Sequence, residues 1–378
     1  MKPKVLIFVD WFAPGYRAGG PTTSNINIVD NLSEYIDFYI ITSDTDYHAT
    51  KPYDNIISNQ WLSRSNCNIY YFSREALSFK KLLNVSKEAG CDIWYINGVY
   101  SKFFSIYPLL LRKIVNPKKA IVAARGMLSP HALSVKSNQK KIFLSFSKLL
   151  RLYDGVIFHG TNEEECKYIQ DVISPKQACV AIPNLPRKIK VKAKVSCKEN
   201  KIIKLVSFAR VSSEKNTLYA ISALKECKQK VSYHIYGQIN SDEYWSKCLQ
   251  ETEKLPPHVK VEYKGATDPE MLEKLYDQYD ALYLPTTGEN FGHAILESLM
   301  CSRPVVISDR TPWRNLSSMG VGYDIPLNDA TEFARVIDNM ALKTKDEYDL
   351  YCTQAYEYAC TICNDEETKL KYLSMLNS

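Results

Sequence analysis

Short runs of β-branched and aromatic residues alternate with stretches of helical period along this chain, and the alternation occurs twice. In the first series, residues 5–9, 38–41, 69–72, 93–96, 120–123 and 156–158 read as strands, with helical patterns over 23–32, 76–89, 101–114 and 139–150 between them. The pattern stops at Pro183-Asn184-Leu185-Pro186, and the polar, lysine-rich stretch from Arg187 to Lys201 reads as a linker. A second series follows, with strands at 203–208, 233–236, 259–263, 281–284 and 305–307 and helices at 217–224, 245–254, 269–279 and 293–301. Beyond Asp329 the chain reads as helix to its end. Strands alternating with helices predict parallel sheets covered on both faces. The expected architecture is α/β: a Rossmann-like, doubly wound domain over 1–186, a linker over 187–201, a second such domain over 202–355, and a terminal helix over 356–378 packing back on the first. Ligands of such sheets bind beyond the carboxyl ends of the strands, so the loops there carry the candidate chemistry.

Composition narrows the classes. At 378 residues the chain exceeds what one core usually serves, and 45% hydrophobic with 24% charged residues fits a globular protein. The run 5–9 is too short for a signal peptide and ends at Asp10, and no stretch approaches the roughly 18 apolar residues of a membrane span, so a cytoplasmic location is expected. Eleven scattered cysteines argue against a disulfide framework and read as free thiols. Cys360 and Cys363 have redox or half-zinc spacing, but no second pair completes a site. Residues 1–190 hold 25 of the 48 Lys+Arg and 15 of the 42 Asp+Glu, a net +10, which leaves −4 for the rest. Lys136, Lys140, Lys141, Lys148 and Arg151 interleave with apolar residues there. Two readings of this segment stand: a core-packed helix with a solvated lysine face, and an amphipathic segment resting on an anionic membrane surface.

Three loops hold the chemistry. After the strand at 281–284 come Glu289, Asn290, Phe291, Gly292 and His293, then a helix with Glu297 on it. A helix N-terminus offers unpaired N–H groups to a diphosphate, and Gly292 removes a side chain that would block its approach. After the strand at 203–208, Arg210 and Lys215 supply a bidentate fork and a point charge that can converge on an anion. After the first strand, Gly19, Gly20 and Pro21 precede a helix whose expected cap is Thr22 or Thr23, and their amides could meet a phosphate. Asp44-Thr45-Asp46 follows a strand, as a metal-binding D-x-D would, but aspartates there are more often turn formers.

Arg210 with Lys215, and Glu289 and Glu297 enclosing Phe291 and Gly292, resemble the donor-site motifs of retaining glycosyltransferases of family 4, which have the GT-B fold. The Gly19-Gly20 loop, the segment Arg125 to His131, and Pro304 to Asp309 followed by Thr311-Pro312-Trp313-Arg314 extend the resemblance, which is nearest to bacterial enzymes of O-antigen, capsule or exopolysaccharide synthesis. The resemblance implies two domains facing a central cleft and transfer of a sugar from a nucleotide-diphosphate sugar, with a UDP-sugar favoured. The acceptor would be a glycan or a polyprenyl-diphosphate-linked glycan. It implies that Arg210 and Lys215 hold the donor diphosphate and that Glu289, with the amides near Asn290, Phe291, Gly292 and His293, engages the donor sugar. Glu297 would accept the ribose hydroxyls, Gly19 and Gly20 would close over the phosphates, and His131 would contact the donor sugar. No metal or other cofactor is implied, and no nucleic acid partner; the basic N-terminal domain adds the expectation of peripheral contact with the inner membrane face. A noncatalytic nucleotide-sugar-binding protein and another GT-B enzyme, such as an epimerase, are the competing readings.

Overall fold

The computed structural model describes residues 2–134, 137–188 and 202–377, and the side chains of His131, Ser137 and Pro269 lie outside that description. From residue 189 on, the expected linker is also outside it, as is Lys136. The chain divides into two units: Met1–Lys188 with Asp365–Ser378, and Ile189–Asn364.

Unit 1 is built on strands β1 (Lys4–Phe8), β2 (Asp37–Ser43), β3 (Trp61–Ser63), β4 (Asn68–Phe72), β5 (Ile93–Asn97), β6 (Lys119–Ala123), β7 (Ile157–Gly160) and β8 (Cys179–Ala181). Their spatial order is β3-β4-β2-β1-β5-β6-β7-β8, with only β3 antiparallel to its neighbour. Its helices are α1 (Gly20–Leu32), α2 (Phe79–Ala89), α3 (Tyr107–Val115), α4 (Pro130–Ser134), α5 (Ser137–Leu149) and α6 (Glu163–Val172). Alternate residues of one strand serve opposite cores: Leu6 and Phe8 pack with Leu82, Val85 and Leu109, whereas Val5 and Ile7 pack with Ile28, Val29 and Leu32. A sheet covered on both faces makes its strands continuously apolar, which is why β1 reads as an unbroken run.

Unit 2 has β9 (Ile202–Phe208), β10 (Lys230–Tyr236), β11 (Val259–Gly265), β12 (Ala281–Leu284), β13 (Val305–Ser308) and β14 (Gly322–Ile325), ordered β11-β10-β9-β12-β13-β14 and all parallel. Helices α7 (Thr217–Ala223), α8 (Asp242–Thr252), α9 (Leu272–Tyr276), α10 (His293–Met300), α11 (Ala330–Leu342) and α12 (Lys345–Cys363) cover it, and α13 (Glu366–Met375) belongs to unit 1. There Tyr372 and Met375 join the core that α1 closes. The sheet order reverses between β9 and β12 in unit 2 and between β1 and β5 in unit 1, the points where parallel sheets open a crevice at their carboxyl ends.

Several expectations shift in detail. Helix α1 is capped by Gly19 at φ 72°, not by Thr22 or Thr23, because a glycine can take the left-handed turn and Pro21 fits the first helical turn. The stretch 101–114 is a π-helical turn, Lys102–Ile106, followed by α3, with Pro108 in its first turn. Strands β3, β8 and β14 were not expected; each is only three or four residues long, too brief for period-2 reading. All ten cysteines among the described residues are free thiols.

Candidate functional site

In unit 2 the switch point brings together the loops after β9 and β12, and their backbones are tied directly. The carbonyl of Glu214 accepts from the Thr287 amide at 2.9 Å and from the Thr286 and Thr287 hydroxyls at 3.0 Å each. Asn216, left-handed at φ 59° where it caps α7, donates its side-chain amide to Pro285 O at 3.0 Å. Across this seam Lys215 Nζ meets Glu289 Oε1 at 2.6 Å, both side chains being mostly buried, at 14% and 13% exposure. Glu214 stands between the two cations, 3.6 Å from the Arg210 guanidinium and 3.8 Å from Lys215 Nζ. Arg210, Lys215 and Glu289 therefore form one cluster, 74 residues apart in sequence at its closest pair.

The β12 loop then enters α10. Gly292 is left-handed at φ 82°, and a Cβ there would lie 2.8 Å from Ile295 Cδ1 and 3.1 Å from the Trp313 indole nitrogen, so only glycine fits without displacement. The Trp313 indole N–H donates to Phe291 O at 2.5 Å, and the Glu289 amide donates to Arg310 O at 3.1 Å. The segment after β13 thus fixes the entry into α10. His293 opens the helix, its ring 4.9 Å from that of Phe291. Glu297, one turn in, is 9% exposed and lies close enough to the buried Tyr276 to help push that phenol well above its ordinary range, burial being the larger cause.

Unit 1 treats its own switch point differently. The loop after β1 is clamped by Asp46, whose carboxylate accepts from the amides of Tyr16 (3.1 Å), Arg17 (3.3 Å) and Tyr47 (2.7 Å). Asp44 accepts from the Ser58 hydroxyl at 2.7 Å. Both carboxylates of the D-x-D are thus loop ties, and no group of three His, Cys, Asp or Glu able to hold a metal occurs among the described residues. Asp10 accepts from Ser101 Oγ at 2.6 Å, joining the loops after β1 and β5; burial raises its pKa and that bond partly opposes the rise. Gly19 needs its positive φ, but Gly20 has neither a positive φ nor any atom within 4 Å of an added Cβ, which leaves the start of α1 open to a close-approaching ligand.

Arg125 is not a surface residue of the loop that follows β6. It is left-handed at φ 53°, and its guanidinium donates to Asn97 Oδ1 (3.0 Å), to the Tyr95 hydroxyl (2.8 Å) and to Asn184 Oδ1. Beside it, His159 bonds Tyr95 at 2.7 Å and Ile182 O at 2.9 Å, and burial, then the Arg125 charge, lowers its pKa to about 3. Glu165 closes the network through the Gly126 amide at 2.6 Å and both donors of Thr161 at 2.7 Å. His131 lies on α4, with its side chain outside the described residues.

Two residues of unit 2 have no role in the sequence reading. Glu214 was visible as a carboxylate wedged between two cations, and Trp313 as an indole that must find an acceptor when buried.

Residues 188–356 match the family model for glycosyl transferases group 1. A Klebsiella pneumoniae protein described as an uncharacterized 41.2 kDa protein in the cps region is 22% identical over 345 residues, spanning 86% of this chain and 89% of the relative. Among solved structures, Anabaena HepE in complex with UDP and glucose superposes with a TM-score of 0.71 at 14% identity, covering 99% of each chain. Sucrose-phosphate synthase from Thermosynechococcus elongatus gives 0.66 at 16% identity, over 99% of this chain and 98% of that one. Residues 188–356 are thus similar to the group 1 glycosyl transferase model, and the two Rossmann-like units share the GT-B fold of these solved structures.

Proposed function

We propose that the chain is a retaining, family 4 glycosyltransferase that moves a sugar from a nucleotide-diphosphate sugar, a UDP-sugar by preference, to a glycan or polyprenyl-diphosphate-linked acceptor during surface-polysaccharide synthesis. The observation that carries this reading is the Lys215–Glu289 pair at 2.6 Å, set with Arg210 at the switch point of unit 2. The Anabaena structure holding UDP and glucose and the cps-region relative point the same way.

In this reading the pair is the resting form of the site. A donor diphosphate draws Lys215 and Arg210 to its oxygens, and Glu289, released from the ammonium, accepts hydroxyls of the donor sugar. As the glycosidic bond to the diphosphate breaks, negative charge grows on the leaving oxygen. Arg210, Lys215 and the amides at the start of α10 are fixed in place to meet it, the arrangement that gives the largest electrostatic gain in a low-dielectric site. Glu297 receives the ribose hydroxyls, Gly19 and Gly20 admit the phosphates, and His131 contacts the donor sugar. Front-face attack by the acceptor, on the side the diphosphate leaves, retains the anomeric configuration and needs no protein nucleophile. No metal or other cofactor is assigned to the reaction.

A panel of UDP-, GDP- and ADP-sugars, screened by thermal shift and by donor hydrolysis, tests the reading, with product configuration read by NMR. One nucleotide sugar should raise the melting temperature and be turned over, and Glu289→Ala should abolish turnover in a folded protein. Near-normal turnover by that variant would remove the assignment. Binding without turnover by the wild type across all acceptors would favour a noncatalytic sugar-nucleotide-binding protein.

A further inference from the structure

Trp313 is buried in the segment between β13 and β14, outside any helix or strand. That segment is braced from within: the Thr311 hydroxyl donates to Trp313 O at 3.3 Å and accepts from the Trp313 amide at 3.2 Å. Both of its flanks are tied to β14. The Asp309 amide donates to Ile325 O at 2.8 Å, and the Asp324 carboxylate accepts from the amides of Asn315 (3.1 Å) and Leu316 (3.0 Å). From this base the indole reaches two elements at once. Its N–H donates to Phe291 O at 2.5 Å, and its ring stands edge-on to those of Phe291, at 6.1 Å, and of Tyr358 in α12, at 6.2 Å. Ala355 and Ala359 of α12 join Trp313 and Ile295, Leu296 and Leu299 of α10 in one core.

A buried indole N–H needs an acceptor, and the one it takes is the carbonyl just before the left-handed Gly292. In a trans peptide the N–H points opposite to the C=O, so holding Phe291 O against the indole turns the Gly292 N–H to the far side. Gly292 is the cap of α10, and the unpaired amides of the first turn follow from its orientation. We infer that Trp313 is a positioning residue for the donor diphosphate: its indole N–H fixes the peptide plane that begins α10, and so the direction of the amides there. This role rests on the reading of the unit 2 switch point as a donor site. Trp313 acts through Phe291 O, while the Glu289 amide, bonded to Arg310 O at 3.1 Å, holds the other end of the same loop. The ring supplies packing and the single N–H sets the peptide plane, so the two contributions separate in a variant that keeps a ring and loses the donor.

The test compares Trp313→Phe with the wild type in the purified full chain. Hydrogen exchange needs no donor: the amides of residues 290–294 should exchange about tenfold faster in the variant, the scale of one lost hydrogen bond, with β9 and α11 unchanged. With a nucleotide sugar that the wild type turns over, kcat should fall by about tenfold and donor KM change by less than about threefold, because the amides are aimed at charge that appears as the bond breaks. Replacing Trp313 by its benzothiophene analogue, which keeps the ring size and lacks only the N–H, should have the same two effects, and it carries the test if the phenylalanine variant does not fold. Wild-type exchange at 290–294 in either folded variant, or a lower melting temperature with kcat unchanged, would overturn the inference. A wild type that binds no nucleotide sugar would fail the donor reading itself, an outcome told apart because it is seen without any variant.

Discussion

Units 1 and 2 reverse strand order at corresponding points and place a buried cation near each, but the cations are spent differently. In unit 1 Arg125 is enclosed by Asn97, Asn184 and Tyr95, neutral acceptors that consume its fork and hold three segments together. In unit 2 Lys215 is mostly buried but bonded to Glu289, a partner that an anionic ligand can displace, and Arg210 stands 3.6 Å from a half-exposed Glu214. A guanidinium ringed by neutral oxygens is a strut. An ammonium paired with one carboxylate at a loop seam is a switchable site. The contrast shows that shared strand order fixes where a crevice opens and leaves the chemistry to the side chains lining it.

Four experiments bear on that contrast, and the largest effect belongs to unit 2. Lys215→Ala should lower transfer by about 10²–10³-fold, the scale for removing one fixed donor from a developing anion, in a protein that stays folded. A loss of stability without a loss of rate would make Lys215 another strut. Next comes Arg125→Leu, which takes the donor from the buried Asn97 and Asn184 side-chain oxygens and one of two bonds from Tyr95, and should cost about 3 kcal/mol or more in denaturant unfolding. If this variant kept full stability and lost turnover, the two cations would have exchanged roles.

His159 gives a smaller, pH-dependent reading. Its folded pKa, about 3, lies below the unfolded value near 6.5, so the unfolded state binds more protons in between. The stability it supplies is complete above about pH 6.5 and falls as pH drops toward 3, by up to roughly 1.4 kcal/mol per pH unit. Melting curves from pH 7 to 5 should therefore be flatter for His159→Asn than for the wild type, and parallel curves would contradict the buried-neutral assignment. Smallest is Glu214→Gln, which keeps the backbone carbonyl and its three bonds but removes the charge between Arg210 and Lys215. A change of a few-fold in donor KM is expected, as for a partly exposed ion pair, and a loss comparable to Lys215→Ala would place Glu214 in direct contact with the donor.

Much of the fold was legible because both sheets are buried on two faces. Strand runs such as 93–96 and 305–307 are continuously apolar. Gly292 was read as clearing the way for a ligand, whereas its left-handed backbone and the Ile295 and Trp313 side chains are what require glycine there. Arg210, Lys215 and Glu289 were also readable, as cations and a carboxylate in loops after strands. Short edge strands were not, and neither was the fate of Arg125: its segment has the look of a site loop, but a left-handed turn sends the guanidinium inward. Asp44 and Asp46 show the same limit, since a D-x-D spacing does not say whether the carboxylates face an ion or their own loop amides.

By itself the sequence determined the alternation of elements, the two parallel sheets and the residue types available after each strand, because local period and burial on both faces leave a direct mark on composition. Only the tertiary structure decided which of those residues meet. Lys215 reaches Glu289 because β9 and β12 are neighbours in space, and α5 turns four apolar side chains to solvent because its other face is already taken by the core. Pairings across such separations depend on strand order and helix rotation, and neither is encoded in the neighbourhood of any single residue.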